Sequence, residues 1–193
     1  GLIAACENMP SGRAVKPGDI VKASNGKYIE VLNTDAEGRL TLADMLTYAQ
    51  KDKLFGTTQS KPDAIVDLAT LTGACMVALG EQIAGLFGNN KVLTDQIKQA
   101  SFKVGEKVWE LPLESEYKEL NKSSIADIKN ISGNSYGGAI TAALFLQEFV
   151  DEHMPWVHLD IAGPAFEEKG TPLVPRGGSG FGVRTLLTWL NTF

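Results

Sequence analysis

The sequence predicts an α/β fold, with a mixed, largely parallel central sheet and helices on both of its faces. Strand-like and helix-like patterns alternate along the chain, for example at 27–31, 42–54 and 64–68, which is the order that α/β proteins use. Small or polar residues directly follow apolar strands at 33–40 and 69–74. Open α/β sheets hold ligands at such strand ends, so the predicted fold also indicates where ligands bind.

The first part of the chain predicts a strand, a loop and a hairpin. Residues 2–6 are apolar and predict a buried strand, and turn-forming residues fill 8–18. Two alternating runs at 19–23 and 27–31 are joined by Ser24-Asn25-Gly26. Asn-Gly between alternating runs is a strong hairpin signal, so these runs are expected to pair.

The remaining chain alternates predicted helices and strands. A helix is expected to begin at Thr41, because Thr41 and Asp44 have the capping-box spacing, and to end at about 55–56. The strand at 64–68 is apolar enough for a central parallel strand. The further predicted elements are, in order, a strand at 83–87, an amphipathic helix at 92–108, a helix at 139–150, a last strand at 156–161 and a closing helix at 182–190.

Composition narrows the class of protein. The 193 residues are 44% hydrophobic and 21% charged, which predicts a single domain with one sizeable core. A net charge of -5 without a block of Lys or Arg argues against nucleic acid as a partner. The apolar runs fall short of the ~20 residues that span a bilayer, and residues 1–6 lack a signal-peptide pattern. We therefore predict a soluble, cytoplasmic protein without a membrane partner, and leave an organelle such as a plastid open.

The sequence lacks several common metal-binding and nucleotide-binding motifs. It contains no CxxC, no Cys/His cluster, no HExxH, no P-loop motif and no GxGxxG. Cys6 and Cys75 are therefore predicted to be small buried hydrophobic residues rather than a disulfide or a zinc site. The glycine-rich stretch 177–182 is expected to form a flexible loop.

The stretch 33–40 carries the strongest chemical signal. Asp35, Glu37 and Arg39 alternate, and side chains at such spacing point the same way in an extended backbone. Two carboxylates suit a divalent metal ion, although two ligands do not make a closed site. The alternative is that these acidic residues only complement the dipole of the helix that follows.

A second possible nucleophile is Ser135. Residues 133–137 match GxSxG, and Asp151 and His153 or His158 follow in the order of an α/β-hydrolase triad. The nucleophile elbow of that fold follows a buried strand, whereas residues 126–130 are charged. A serine hydrolase is therefore the weaker hypothesis.

The octapeptide NTDAEGRL at 33–40 resembles the signature of the leucyl aminopeptidase (cytosol aminopeptidase) family of two-metal exopeptidases. Four further segments resemble motifs of that family in the same order and cover nearly the whole chain: ENMPSG at 7–12, DLATLTGA at 67–74, GGAITA at 137–142 and HLDIAG at 158–163. The resemblance implies a zinc-exopeptidase-like fold, peptide substrates, a homohexamer and two divalent ions, Zn²⁺ or Mn²⁺.

The resemblance also implies roles for individual residues. Asp35 would bind one ion and Glu37 both, and the ions would activate a shared water for attack on the first peptide carbonyl. Arg39 resembles the arginine that holds a bicarbonate serving as general base and stabilises the tetrahedral intermediate. Thr70, Leu71, Gly73 and Ala162 match positions that orient the substrate and shape the pocket for its N-terminal side chain.

The family's other ligands, a Lys and two Asp, and a second catalytic Lys belong to motifs that precede the equivalent of Leu2. Residues 1–193 thus resemble the C-terminal portion of the catalytic domain, without the N-terminal domain and the first half of the catalytic domain. We predict that the chain alone is inactive, and that a second chain carrying the missing half would complete the site. A non-catalytic assembly or regulatory fragment is the alternative.

Overall fold

The computed structural model describes residues 1–51, 61–134, 136–172 and 174–193. The strands are β1 (Ile20–Lys22), β2 (Tyr28–Glu30), β3 (Ile65–Ala69), β4 (Ala84–Gly88), β5 (Val108–Glu110), β6 (Ile128–Lys129), β7 (Trp156–Asp160), β8 (Phe166–Glu167) and β9 (Gly177–Gly178). The helices are α1 (Gly38–Ala49), α2 (Gly73–Leu79), α3 (Lys91–Val104), α4 (Gly138–Gln147) and α5 (Val183–Leu190), with a 3₁₀ helix at Ser115–Asn121. The predicted mixed α/β class is confirmed, with the described strands distributed over three sheets.

The chain divides into two compact units. The first contains Gly1–Ile65 and Glu114–Met154, and the second contains Val66–Leu113 and Pro155–Phe193. Each unit is therefore made of two separate stretches of the sequence. Within the described residues, no helix combines the length and the apolar character needed to cross a membrane.

The first unit contains the predicted hairpin. β1 and β2 pair antiparallel, with Val21 opposite Ile29, and Gly26 N–H donates to Ala23 O at 2.9 Å in the turn. β6 adds to β2 as a parallel neighbour, with Ile128 beside the same Ile29. The hairpin prediction is confirmed, and the third strand comes from a part of the sequence about 100 residues away.

Helix α1 begins at Gly38, three residues before the predicted start. Thr41 Oγ1 donates to Gly38 O at 2.9 Å inside the first turn, and Asp44 Oδ1 accepts from Ser24 N–H at 2.8 Å, so neither residue forms the predicted capping box. The helix ends at Ala49 because Gln50 leaves the helical conformation. The Gln50 amide donates to Leu46 O and Phe149 O. The predicted end at 55–56 lies outside the described residues.

Helix α4 confirms the helix predicted at 139–150, although it ends at Gln147. Ala139, Ala142 and Ala143 are buried, which lets neighbouring elements approach the helix backbone. The 3₁₀ helix contacts α4 through Asn121, whose Nδ2 donates to Thr141 O at 2.8 Å.

The second unit holds a four-stranded sheet in the order β3-β7-β4-β5. β4 pairs antiparallel with β7 and parallel with β5, and every residue of β7 is buried. β3 confirms the predicted strand but lies at the end of this order rather than at its centre. Helix α5 confirms the predicted closing helix and packs against α3.

Three other predictions are wrong. Residues 2–6 form no strand and are mostly exposed, Cys6 included, because no described strand pairs with them. Helix α3 ends at Val104 rather than 108, since Gly105 adopts a left-handed φ of 72° that terminates the helix. β7 is not the last strand, because β8 and β9 follow it as an antiparallel pair, and β9 begins the predicted loop at 177–182.

Candidate functional site

In the first unit, the loop between β2 and α1 carries the two predicted metal-binding carboxylates. Asp35 is exposed and Glu37 is half-buried. Asn33 Oδ1 accepts from Asp35 N–H at 2.9 Å, which fixes the backbone at Asp35. Neither carboxylate forms a hydrogen bond or an ion pair with another residue that the structure describes. Both therefore present oxygen atoms that are available to a ligand.

Glu37 occupies the N-cap position of α1 but does not cap the helix through its side chain. Its φ and ψ of -74° and -33° are already helical, and its carboxylate makes no capping hydrogen bond. Since an N-cap side chain stabilises a helix by accepting from the N–H groups of its first turn, the interaction left to Glu37 is the weaker one with the helix dipole. The structure thus excludes side-chain capping as the role of this carboxylate.

Arg39 lies in the first turn of α1 and is only 8% exposed. Its Nη1 donates to the main-chain oxygen of Asn130 at 2.7 Å. Its Cζ lies 6.0 Å from the centre of the Phe145 ring, within cation–π range. Because α1 begins at Gly38, the alternation expected for an extended backbone does not reach Arg39, whose side chain is directed into the packed interior.

Asn130 is a residue that the sequence analysis missed. Its side chain is fully buried, its Oδ1 accepts from Leu32 N–H at 2.8 Å, and its Nδ2 donates to Asn33 O at 2.6 Å. These partners lie 97 and 98 residues away in the sequence. The local pattern around Asn130 contains no signal for such contacts, because they depend on the pairing of β6 with β2.

In the second unit, the predicted substrate-binding residues lie at the ends of β3 and β7. Thr70 and Gly73 are exposed, and Leu71 and Ala162 are half-buried. The main-chain N–H groups of Leu71 and Ala162 both donate to Asp160 Oδ1, each at 3.2 Å. The structure thus brings two of the four predicted residues onto one carboxylate.

The sequence analysis did not assign a role to Asp160, although an acidic residue inside an apolar strand indicates a specific contact. It is fully buried and accepts a further hydrogen bond from Thr72 Oγ1 at 2.6 Å. Buried carboxylates require such partners, so an Asp inside the apolar run 156–161 could have been singled out. Burial, and secondarily the Asp160 charge, raise the pKa of the neighbouring Cys75 thiol to about 11.

The proposed hydrolase triad gains no support from the described residues. His158 lies within β7, with its Nδ1 2.6 Å from Asp67 Oδ1, and the same carboxylate accepts from Trp156 Nε1. His153 is exposed in a turn, and Ser135 lies outside the described residues. His158 is therefore part of a buried polar network inside the sheet of the second unit.

The described part of the chain contains no cluster of three or more His, Cys, Asp or Glu side chains arranged to hold a metal ion. Residues 1–187 match the catalytic domain of a known family, described as "Cytosol aminopeptidase family, catalytic domain". The chain belongs to the cytosol aminopeptidase family. This match does not support the serine-hydrolase hypothesis.

Sequence identity to individual members of the cytosol aminopeptidase family supports this assignment. The chain is 58% identical to a probable cytosol aminopeptidase of Prochlorococcus marinus, over 97% of this chain and 36% of that protein. It is 55% identical to one of Aquifex aeolicus, over 98% of this chain and 37% of that protein. The chain therefore spans little more than a third of the length of these relatives.

Solved structures of related enzymes also match this chain over part of their length. A mutant of tomato leucine aminopeptidase superposes with a TM-score of 0.89 at 50% identity, over 98% of this chain and 35% of that chain. The bottromycin maturation enzyme BotP, in complex with Mn, gives a TM-score of 0.88 at 41% identity, over 96% and 40% of the two chains. These 193 residues therefore share the fold of the part of each solved chain that they match.

Proposed function

We propose that this chain is the C-terminal part of the catalytic domain of a two-metal aminopeptidase that releases N-terminal residues, with leucine preferred, from peptides. The observation that carries the proposal is the pair of carboxylates at Asp35 and Glu37, which have no partner among the described residues. A carboxylate pair in a short loop, next to a helix N-terminus, suits hard or borderline divalent cations. Family membership supports the same reaction class.

In this proposal Asp35 and Glu37 would hold Zn²⁺ or Mn²⁺, and the Mn in the BotP complex favours testing manganese first. The bound ions would supply Lewis-acid polarisation of the peptide carbonyl and a lowered pKa for water. The Asn33 side chain, by accepting from Asp35 N–H, keeps the Asp35 backbone in one conformation. The loop therefore presents its carboxylates without a large change on binding.

Arg39 supplies a fixed positive charge in the proposed reaction. Its guanidinium is almost fully buried and is held by the Asn130 carbonyl, so charge developing beside it is stabilised more strongly than in water. The family resemblance assigns this charge to stabilising the oxyanion formed during attack on the carbonyl. By resemblance, the same guanidinium would bind bicarbonate as the general base, which a bicarbonate titration of the activity can test.

The second group of residues would bind the peptide. Thr70, Leu71 and Gly73 lie in one turn, and the Asp160 carboxylate anchors that turn and Ala162. Main-chain groups and small residues of this kind can orient an extended substrate. Because an apolar pocket discriminates by only ~1 to 3 kcal/mol per methylene, other apolar N-terminal residues are expected to be cleaved as well.

We further propose that the chain is incomplete as a catalyst. Asp35 and Glu37 are two of the five ligand residues that the family resemblance implies, so the remaining Lys and Asp ligands must come from another segment or chain. The complete enzyme would be a cytoplasmic homohexamer. A non-catalytic assembly fragment is the competing class, and it differs in predicting no metal-dependent turnover when the missing half is supplied.

The proposal is tested by Glu37→Ala in the complete enzyme, meaning this chain together with the rest of the catalytic domain. We expect hydrolysis of leucine p-nitroanilide with Mn²⁺ to fall about 1,000-fold or more, because several kcal/mol of transition-state stabilisation depend on the ions. Circular dichroism should be unchanged. Glu152→Ala, an exposed carboxylate of the same unit, is the matched control and should retain activity.

Retained activity in Glu37→Ala would remove Glu37 from the metal site. Absence of turnover in the complete wild-type enzyme, with Mn²⁺ or Zn²⁺ present, would favour the assembly fragment instead.

A further inference from the structure

Asn130 contacts both ends of the loop that carries the proposed metal ligands. Its side chain binds the backbone at Leu32 and Asn33, which enter the loop. Its main-chain oxygen accepts from Arg39 Nη1 at 2.7 Å, just after the loop. One fully buried residue is therefore hydrogen-bonded on both sides of Asp35 and Glu37.

The side chain of Asn130 has the atoms that this position requires. Its Oδ1 accepts from Leu32 N–H at 2.8 Å and from Asn33 N–H at 3.3 Å, and its Nδ2 donates to Asn33 O at 2.6 Å. An amide offers acceptor and donor together, whereas a carboxylate offers only acceptors and an aliphatic side chain offers neither. The pattern thus requires a side-chain amide.

The contact continues to the backbone of Asp35. Asn33, whose backbone Asn130 binds, uses its own Oδ1 to accept from Asp35 N–H at 2.9 Å. Asn130 is in turn anchored to the sheet, because its N–H donates to Glu30 O at 2.9 Å. A continuous chain of hydrogen bonds therefore runs from β2 and β6 to the backbone of Asp35.

We propose that Asn130 is a positioning residue that holds the loop with Asp35 and Glu37 and the Arg39 guanidinium in one fixed arrangement. This inference rests on the proposed function for its catalytic consequence. Its structural part, the control of the loop by Asn130, stands on the hydrogen bonds alone. Residues that orient metal ligands in this way typically change metal affinity or activity 10- to 100-fold when replaced.

The structure offers a matched control in Asn121. This residue is also a buried asparagine of the first unit, 3% exposed, and its Nδ2 also donates to a main-chain oxygen, that of Thr141. Thr141 lies in α4 rather than in the loop. Asn121→Ala therefore removes a comparable buried amide without touching the segment from Leu32 to Arg39.

The structural part is tested on this 193-residue chain by amide hydrogen exchange. In Asn130→Ala we expect the N–H groups of Leu32, Asn33 and Asp35 to exchange about 10-fold faster or more. In Asn121→Ala these three amides should exchange as in the wild type. Equal exchange in Asn130→Ala and the wild type, or equal acceleration in both variants, would overturn the proposal.

Asn130→Asp provides a second variant in case the alanine form does not fold. It keeps an acceptor for Leu32 and Asn33 N–H but loses the donor to Asn33 O. We expect intermediate exchange rates at these amides. Exchange identical to that of the wild type would show that the Nδ2 bond does not hold the loop, which contradicts the proposal.

The catalytic consequence is tested in the complete enzyme. Asn130→Ala should lower kcat for leucine p-nitroanilide and the calorimetric Mn²⁺ affinity about 10- to 100-fold each, with a KM change of less than about threefold because it leaves the turn at 70–73 intact. Activity is expressed per folded enzyme, so a purely structural loss would leave both values unchanged. That outcome, or the same losses in Asn121→Ala, would overturn the proposal.

Failure of the proposed function gives a different result. The complete wild-type enzyme would then show no metal-dependent turnover, while the exchange experiment on this chain would still decide whether Asn130 controls the loop.

Discussion

Asp160 and Asn130 are fully buried polar side chains that bind main-chain N–H groups of exposed or half-buried segments. Asp160 binds the backbone at Leu71 and Ala162, and Asn130 binds it at Leu32. A buried polar side chain that is left without its hydrogen-bond partner costs about 1–3 kcal/mol. Each of these side chains therefore restrains the neighbouring segment far more than a surface contact would.

The two cysteines make a prediction at the same scale. Cys75 is buried and its pKa is raised to about 11, chiefly by burial and then by Asp160, whereas Cys6 is exposed. Iodoacetamide at pH 8 should therefore modify Cys6 and leave Cys75 unmodified in the folded chain, as read by peptide mass spectrometry. Both should react in urea. Modification of Cys75 at the rate of Cys6 would contradict its burial.

The raised pKa of Cys75 also predicts a pH dependence of stability. Between pH 9.0 and about 11 the unfolded state loses the thiol proton and the folded state retains it. The contribution to the free energy of unfolding is therefore fully present below pH 9 and is lost, by roughly 1–3 kcal/mol, as pH rises through this window. Urea denaturation at pH 8 and pH 10 should show a smaller decrease for Cys75→Ala than for Cys6→Ala.

Residue types and short-range spacing were enough to select Asp35, Glu37 and Arg39 from the sequence. They were not enough to select Asn130, because its partners lie 97 and 98 residues away. Asp160 could be predicted in part. The sequence shows a charged residue inside an apolar strand, but it does not show which backbone groups that residue binds.

At the scale of elements, the turn after β7 packs closely against the end of α2. A Cβ atom added at Gly163 would lie 2.3 Å from Gly80 O and 3.2 Å from Glu81 Cα. Both are backbone atoms, so the clash cannot be relieved by moving a flexible side chain. The HLDIAG segment at 158–163 therefore requires glycine at its last position.

Gly163→Ala should lower the free energy of unfolding by about 1–3 kcal/mol, the usual range for overpacking, as measured by urea denaturation. Gly178→Ala in β9 is the matched control, because its added Cβ meets nothing within 4 Å. The control should change stability by less than about 0.5 kcal/mol. Equal effects of the two substitutions would show that the close approach at Gly163 relaxes.

The elements that depend on short-range sequence signals were predicted best. The hairpin with Asn25-Gly26 and the closing helix α5 agree with their predictions. The strand expected at 2–6 does not form, because an apolar run becomes a strand only when a neighbour pairs with it. The start of α1 moved to Gly38 because Asp44 binds Ser24 instead of capping the helix, a contact across 20 residues of sequence.

At the scale of the whole molecule, the chain spans 36–37% of the length of its two curated relatives. This leads to a prediction for the chain alone. With Mn²⁺ or Zn²⁺ added, it should not hydrolyse leucine p-nitroanilide, and Mn²⁺ should barely raise its thermal stability. A weak site stabilises by only about 0.4 kcal/mol when the free ion concentration equals its Kd.

The control for this prediction is the complete enzyme, which should both hydrolyse the substrate and gain stability with Mn²⁺. Turnover by the chain alone, abolished by a chelator, would show that the missing half is not needed for the metal site.

The sequence by itself determined the fold class and the family resemblance, and it singled out Asp35 and Glu37 as candidate metal ligands, because these depend on residue types at short spacing. Only the tertiary structure decided that Glu37 leaves α1 uncapped, that Arg39 is buried, and that Asn130 and Asp160 hold the segments around the proposed functional residues. Such hydrogen bonds join residues distant in the chain. They form only when the strands have paired and the polar groups are enclosed.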